Sequence, residues 1–232
     1  MDIQIIGSGS SGNSYTISDG RTRLMLDCGL PLAKLQAATG YTISGLDACL
    51  ITHSHQDHCK AHKDLARLGV DLYAHPDTIR EIKAQGHRYK AIQHGTQFNV
   101  GTFDILPFDL VHDVTNTGWL CQSRETGEKL VYVTDTMYLP YRFRGITHWM
   151  IECNNDLEAM EENVEAGTLN RGLKHRIQKS HLSIDTLLGI FQANDMAQAE
   201  QIYLLHLSDD NSREAEFLDR VVKATGAQVI VC

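Results

Sequence analysis

Short apolar or β-branched runs alternate with stretches of helical spacing along the whole chain. Residues 3–6, 14–17 and 23–27 read as strands, and the Gly/Ser-rich stretch 7–13 punctuates the first two. Asp19-Gly20 supplies a two-residue hairpin signal before the third, so the opening predicts a β-meander. Residues 31–39 predict a short helix with proline at its start, and 48–52 a buried strand running into Thr52-His53-Ser54-His55-Gln56-Asp57-His58. A helix over 61–68, a strand over 71–74 and a helix from Pro76 to about residue 85 follow. Strands are then expected at 103–111, 118–123, 130–134 and 149–153, and an acidic helix at 156–166. The last third alternates helix (184–193), strand (201–207), helix (212–225) and strand (228–231). Two sheet-rich halves that each contribute helices predict an α/β (α+β) protein, with two mixed sheets packed face to face and helices outside.

No linker or internal repeat divides the 232 residues, so a single domain over 1–232 is expected. Composition is that of an ordinary globule, with 42% hydrophobic and 22% charged residues, which excludes disorder and coiled coil. A net charge of -8 disfavours a long phosphate backbone as partner unless a local basic patch overrides it. The six cysteines lack any CxxC pair and read as reduced core residues. The first residues carry no basic stretch or apolar run of signal-peptide length, and no segment has the length of a membrane span; a cytoplasmic protein with no membrane partner is expected.

The unusual feature is twelve histidines, three of them in the seven-residue run ending the strand at 48–52. In extended chain alternate side chains share a face, so His53 and His55 can grip one metal while Asp57 and His58 turn toward a second position. One metal with an open coordination position cannot use all four groups, which points to two. Other strand ends offer the remaining ligands: His112 after Val111, Asp135 after Thr134, and His206 after Leu205. His53, His55 and His112 are assigned to the first metal, Asp57, His58 and His206 to the second, and Asp135 bridges them. Imidazoles with carboxylates suit zinc first, then manganese or iron, and do not suit calcium or magnesium. Such a centre keeps net positive charge, favours an anionic substrate, and brings the pKa of a bridging water near neutrality, making it a nucleophile. A purely structural zinc site would be closed and cysteine-rich, which this set is not.

The pattern His53-x-His55-x-Asp57-His58 with His112, Asp135 and His206 resembles the metallo-β-lactamase superfamily over essentially the entire chain. That resemblance implies an αββα sandwich and a metal-dependent hydrolase. Ser180-His181-Leu182-Ser183 and Leu205-His206-Leu207-Ser208 look like the paired late histidine motifs of the RNase Z and YycJ-type nuclease branches. Carried over, His181 is a general acid for the departing oxygen and Glu152 orients it, so that Asp57, Glu152 and His181 form the catalytic group. The run 7–14, GSGSSGNS, is similar to the YycJ-type opening.

Only 45 residues separate Asp135 from His181, too few for a β-CASP cap, and no basic, glycine-rich arm of the RNase Z kind is present. The one cationic run noted, 170–179, offers Arg171, Lys174, Arg176 and Lys179 as substrate-phosphate contacts, with a solvated loop as the plainer reading. The compact, cap-free version of the fold also looks like the anti-Pycsar phosphodiesterases. The leading expectation is therefore a dinuclear phosphodiesterase for small nucleotides such as cyclic mononucleotides. The alternative is a YycJ-type 5'-3' exonuclease or related nuclease on DNA or RNA ends. Tyr138, Tyr141 and Phe143 are candidate base-stacking residues, and a homodimer is expected by resemblance alone.

Overall fold

A computed structural model describes residues 1–232. Its thirteen strands divide between a six-stranded and a seven-stranded sheet, both mixed, and the chain forms two compact units. The first unit comprises Met1–Asp109 and Val114–Glu128, and the second Leu110–Asp113 and Lys129–Cys232.

In the first unit, β1 (Asp2–Gly7), β2 (Ser14–Ser18), β3 (Arg23–Leu26), β4 (Ala48–Leu50), β5 (Asp71–Ala74) and β6 (Tyr89–Ala91) form the six-stranded sheet in chain order. The first two pairings are antiparallel, as the meander requires, and those from β3 to β6 are parallel. The hairpin loop after β2 takes four residues rather than two, because Asp19 closes on Thr22 and Gly20 adopts φ 89°. Helix α1 (Leu32–Ala38) starts after Pro31, α3 (His62–Arg67) falls within the helix expected over 61–68, a short α2 (Gln56–Cys59) precedes it, and α4 is Pro76–Glu81. The extra turn matters, because α2 carries Asp57 and His58. The core beneath these helices gathers Met25, Leu35, Cys49, Ile51, Leu65 and Leu72, all fully buried. Strands β7 (Phe98–Val100), β8 (Phe103–Leu110) and β9 (Asn116–Ser123) complete the unit. The sequence pattern missed β6 and β7, which are three residues each and too short to show alternation.

The second unit holds four parallel strands in the order β13 (Gln228–Val231), β12 (Gln201–Leu205), β11 (His148–Glu152) and β10 (Lys129–Val133). Parallel strands covered on both faces read as continuous apolar runs, and HWMIE is buried throughout. Helices α5 (Leu157–Glu165), α7 (Ile184–Ala193) and α8 (Glu214–Thr225) fall where helical spacing placed them. The cationic run is not a loop: Arg171–Ser180 forms α6, capped by Asn170, whose side chain accepts from the Leu173 amide. Trp149 packs edge-on against Phe191 at 5.5 Å between ring centroids, and α8 buries Phe217 and Val221. No helix is long and apolar enough to cross a membrane, and all six cysteines are free thiols, five of them buried.

Phe217→Ala is expected to lower unfolding free energy by about 3–5 kcal/mol in urea titrations, because a fully buried ring leaves a cavity. Asp19 supplies a pH test. Burial pushes its carboxyl up, but hydrogen bonds from Thr102, Thr22, Ser123 and Arg21 outweigh this and lower it from 3.8 to about 2. A carboxylate depressed in the folded state stabilises above its unfolded pKa and loses that contribution as pH falls through the folded value. Melting temperature should therefore fall more steeply between pH 3.8 and 2 in wild type than in Asp19→Asn.

Candidate metal centre

Where β3 and β4 end, side by side and in register from Leu24↔Ala48 to Leu26↔Leu50, the first unit turns its apolar strands into polar loops. Asp27 follows β3, fully buried and in the left-handed region at φ 55°. Its carboxylate accepts from the Thr52 amide at 2.8 Å and the Thr52 hydroxyl at 3.0 Å, and it meets His58 Nδ1 at 2.7 Å. Thr52 Oγ1 in turn lies 3.0 Å from His53 Nδ1. Around this buried anchor His53 stands 4.7 Å from His55 and 4.2 Å from His58 between ring centroids, and Asp57 Oδ2 lies 3.5 Å from His58 Nε2.

The α2 turn that brings Asp57 and His58 here rests directly on backbone. The Asn13 amide donates to the Asp57 carbonyl at 2.7 Å, the Cys28 amide to the His58 carbonyl at 2.8 Å, and Asn13 Nδ2 lies 3.1 Å from His58 Nε2. Gly29 sits so close beneath that a Cβ there would fall 1.6 Å from the Asp57 carbonyl oxygen, and only glycine permits that approach.

The second unit builds its share from four strand ends. Asp135 follows β10 and His206 follows β12, both in the left-handed region at φ 51° and 54°. Non-glycine residues rarely adopt this conformation, and its concentration at Asp27, Asp135 and His206 marks strand ends held in strained turns. Asp135 Oδ2 lies 3.8 Å from His112 Nε2 and Oδ1 lies 3.8 Å from His206 Nε2. Asn154 fixes His206 by donating to its carbonyl at 2.8 Å and approaching Nδ1 at 3.3 Å.

At the end of β11 the fully buried Glu152 carboxylate hydrogen-bonds His181 Nδ1 through Oε1. Its Oε2 accepts from the amides of Thr136 at 3.1 Å and Leu182 at 3.3 Å. The His181 ring stacks on His206 at 5.3 Å with 14° between planes. Burial pushes Glu152 up, but the neighbouring His181 charge and hydrogen bond outweigh it and hold the carboxyl below its ordinary range. Burial likewise pushes His181 down, and the Glu152 charge and hydrogen bond outweigh that, leaving the imidazole above its ordinary value. The pair therefore favours a protonated His181 beside an ionised Glu152.

The first unit thus gathers His53, His55, Asp57 and His58; the second gathers His112, Asp135, Glu152, His181 and His206. Asp135, Glu152, His181 and His206 offer ligand atoms all within 4.8 Å of one another. The donor set fits divalent metals. Imidazoles and carboxylates suit borderline cations, and acceptor oxygens face Nδ1 of the prospective ligands, Thr52 Oγ1 at His53, Asp27 at His58 and Glu152 Oε1 3.5 Å from His206, the pattern that steers a metal-ligating ring. The basic residues of α6 are placed differently: Arg171, Arg176 and Lys179 are exposed on the helix, and Lys174 pairs with Glu161 on α5. Sequence reasoning missed Asp27, Asn13 and Asn154. Asp27 carried the same signal as Asp135, a carboxylate directly after an apolar strand, whereas the two asparagines carry none.

The chain belongs to the metallo-β-lactamase superfamily: residues 22–207 match the Beta-lactamase superfamily domain. It is 31% identical over 225 residues to exodeoxyribonuclease WalJ of Streptococcus pneumoniae, covering 90% of this chain and 82% of that protein. A shorter match, 32% over 72 residues and 28% of this chain, relates it to the anti-Pycsar protein Apyc1 of Paenibacillus xerothermodurans, 29% of which is covered. The metallo-β-lactamase fold protein YhfI of Bacillus subtilis has the same fold, with a TM-score of 0.75 at 20% identity over 99% of this chain and 95% of that one. The chain is a hydrolase of this superfamily, whose fold implies divalent metals.

Asp27→Asn should keep the fold and weaken metal affinity about 10–100-fold in a chelator competition, since the ring of His58 loses its orienting charge. Gly29→Ala should displace the α2 turn and lower the metal bound per chain, read by elemental analysis after dialysis.

Proposed function

We propose that the donors of the two units serve one dinuclear centre in a single 1–232 domain, and that the enzyme hydrolyses phosphodiesters. His53, His55 and His112 would hold one ion, Asp57, His58 and His206 the other, and Asp135 both; zinc is the leading metal, with manganese or iron next. When bound, two such ions supply Lewis-acid polarisation of the phosphoryl group and acidify water.

The observation that carries the reading is the Glu152–His181 pair beside Asp135 and His206. A general acid must hold a proton at working pH and release it toward the leaving group. His181 does the first through Glu152, which keeps the imidazolium form favoured and fixes Nδ1, so that Nε2 delivers the proton to the departing alkoxide oxygen. Glu152 is itself fixed by the Thr136 and Leu182 amides and acts only as a positioning residue.

Ends of a DNA strand are the substrate best supported, because the relative matched over 90% of the chain is named an exodeoxyribonuclease. On that reading the exposed Arg171, Arg176 and Lys179 on α6, which ends directly before His181, supply phosphate contacts near the reacting end, with Lys174 as a further contact. Cyclic mononucleotides, the leading expectation from the sequence, become the second reading, favoured by the match to Apyc1 and by the net charge of -8. Action as a homodimer is part of the same proposal, carried over from the superfamily's nucleases.

His181→Ala should lower kcat about 10²–10⁴-fold on the true substrate with metal content unchanged. It should have less effect on bis-nitrophenyl phosphate, whose leaving group needs little protonation. Metal-loaded enzyme is to be offered labelled single- and double-stranded DNA alongside cyclic mononucleotides. Turnover of the cyclic nucleotides alone would select the second reading, and equal activity of His181→Ala on every substrate would remove the acid role.

A further inference from the structure

The first unit carries a second polar feature away from the histidine cluster. A cavity of about 500 Å³ lies between α3 and the turn leading into β6. Lys63, Arg67, Lys83, His87, Arg88 and Tyr89 line it, and no carboxylate does. Arg67 and Arg88 have partners outside the lining, Asp64 at 3.3 Å and Asp71 at 3.0 Å, whereas the exposed Lys63 and Lys83 carry no ion pair. Between residues 60 and 90 the chain has seven Lys and Arg against four Asp and Glu, in a protein whose net charge is -8. Like charges gathered round one hollow repel each other, and a polyanion relieves that repulsion while releasing counterions. Lys83 itself is held at φ 52°, a left-handed conformation uncommon for a residue with a side chain, on the rim of this hollow.

Position decides the class of anion. The HxHxDH loop follows the C-terminal end of β4, whereas the cavity is lined by α3 and by Gly86, His87, Arg88 and Tyr89 at the N-terminal start of the parallel strand β6. The parallel strands between are four residues deep at β5, which is about 13 Å at ~3.3 Å per residue. A strand with phosphates every ~3.4 Å runs that length in about four nucleotides, more than a mononucleotide supplies. We propose that this groove is an exosite for the phosphodiester backbone of a nucleic-acid strand whose end is being hydrolysed. Lys63 and Lys83 are its two open phosphate contacts, beside the half-buried Tyr89, whose hydroxyl is held by His62 Nδ1 at 2.9 Å. The inference rests on the phosphodiesterase reading above.

The test uses full-length, metal-loaded enzyme and the exposed-site double variant Lys63→Glu/Lys83→Glu, with Lys63→Gln/Lys83→Gln as a milder form should the first fold poorly. For a twenty-nucleotide strand the variant should raise KM about tenfold at unchanged kcat, and the slope of log KM against log salt should shrink by about 1.4, or ~0.7 per lost phosphate contact. Activity on bis-nitrophenyl phosphate should stay at the wild-type value. An unaltered KM and salt slope for the strand would overturn the exosite while leaving the hydrolase reading intact. Should wild type cleave bis-nitrophenyl phosphate but no strand, the substrate reading fails separately. The groove is then judged by anisotropy of a labelled twenty-nucleotide strand in EDTA, where weaker binding by the variant supports it and equal binding overturns it. Displacement of that strand by millimolar inorganic phosphate would reassign the groove to a free anion, and displacement by polyglutamate as readily as by unlabelled strand would reassign it to acidic peptides.

Discussion

The candidate site of the first unit depends on one buried carboxylate. Asp27 is removed from water, yet it receives two hydrogen bonds from Thr52 and a third contact from His58. A buried charge is costly unless it is engaged in this way, so the arrangement holds together or fails as a group. Through Thr52 the same carboxylate reaches the His53 ring, and through His58 it reaches the helix that carries Asp57. Three prospective ligands therefore take their orientation from a residue that need not touch a metal itself. Glu152 plays the matching part in the second unit, where it ties His181, the Thr136 turn and the Leu182 backbone to the end of β11.

The common device is the end of a strand. Apolar pairs within each sheet fix the strands by burial, and the residue just past each end is then turned abruptly, three times through a left-handed backbone. Such turns are unfavourable alone and persist because packing on either side leaves no alternative. Rigid strands thereby deliver polar groups at fixed positions, which is what pre-organised chemistry requires.

Much of this was legible in the sequence because the signals are local. A histidine or aspartate directly after CLIT, YVT or LL announces itself by ending an apolar run, and α7, β5 and β13 are bounded by their own periodicity. Asp27 obeyed the same rule but stood apart from any histidine motif, so nothing local singled it out. Asn13 and Asn154 act by tertiary contact, and an asparagine in a turn looks the same whether it caps a loop or steadies an imidazole. The helix at Arg171–Ser180 is obscured by its polarity: Leu173 and Ile177 are its only large apolar residues, and Leu173 is exposed. The basic hollow beside α3 was invisible for the same reason, since Lys63 and Lys83 are twenty residues apart and meet only when β6 pairs with β5.

The parallel order of β10 to β13 has an effect on how the protein comes into being. Strands β11 to β13 each pair with a strand well separated from them along the chain, and loop closure over such separations slows folding. His206 leaves the ribosome long after Asp135, and β12 has no seat until β11 is in place. During synthesis the acidic and imidazole groups of this half therefore stay hydrated and dispersed until those pairings form.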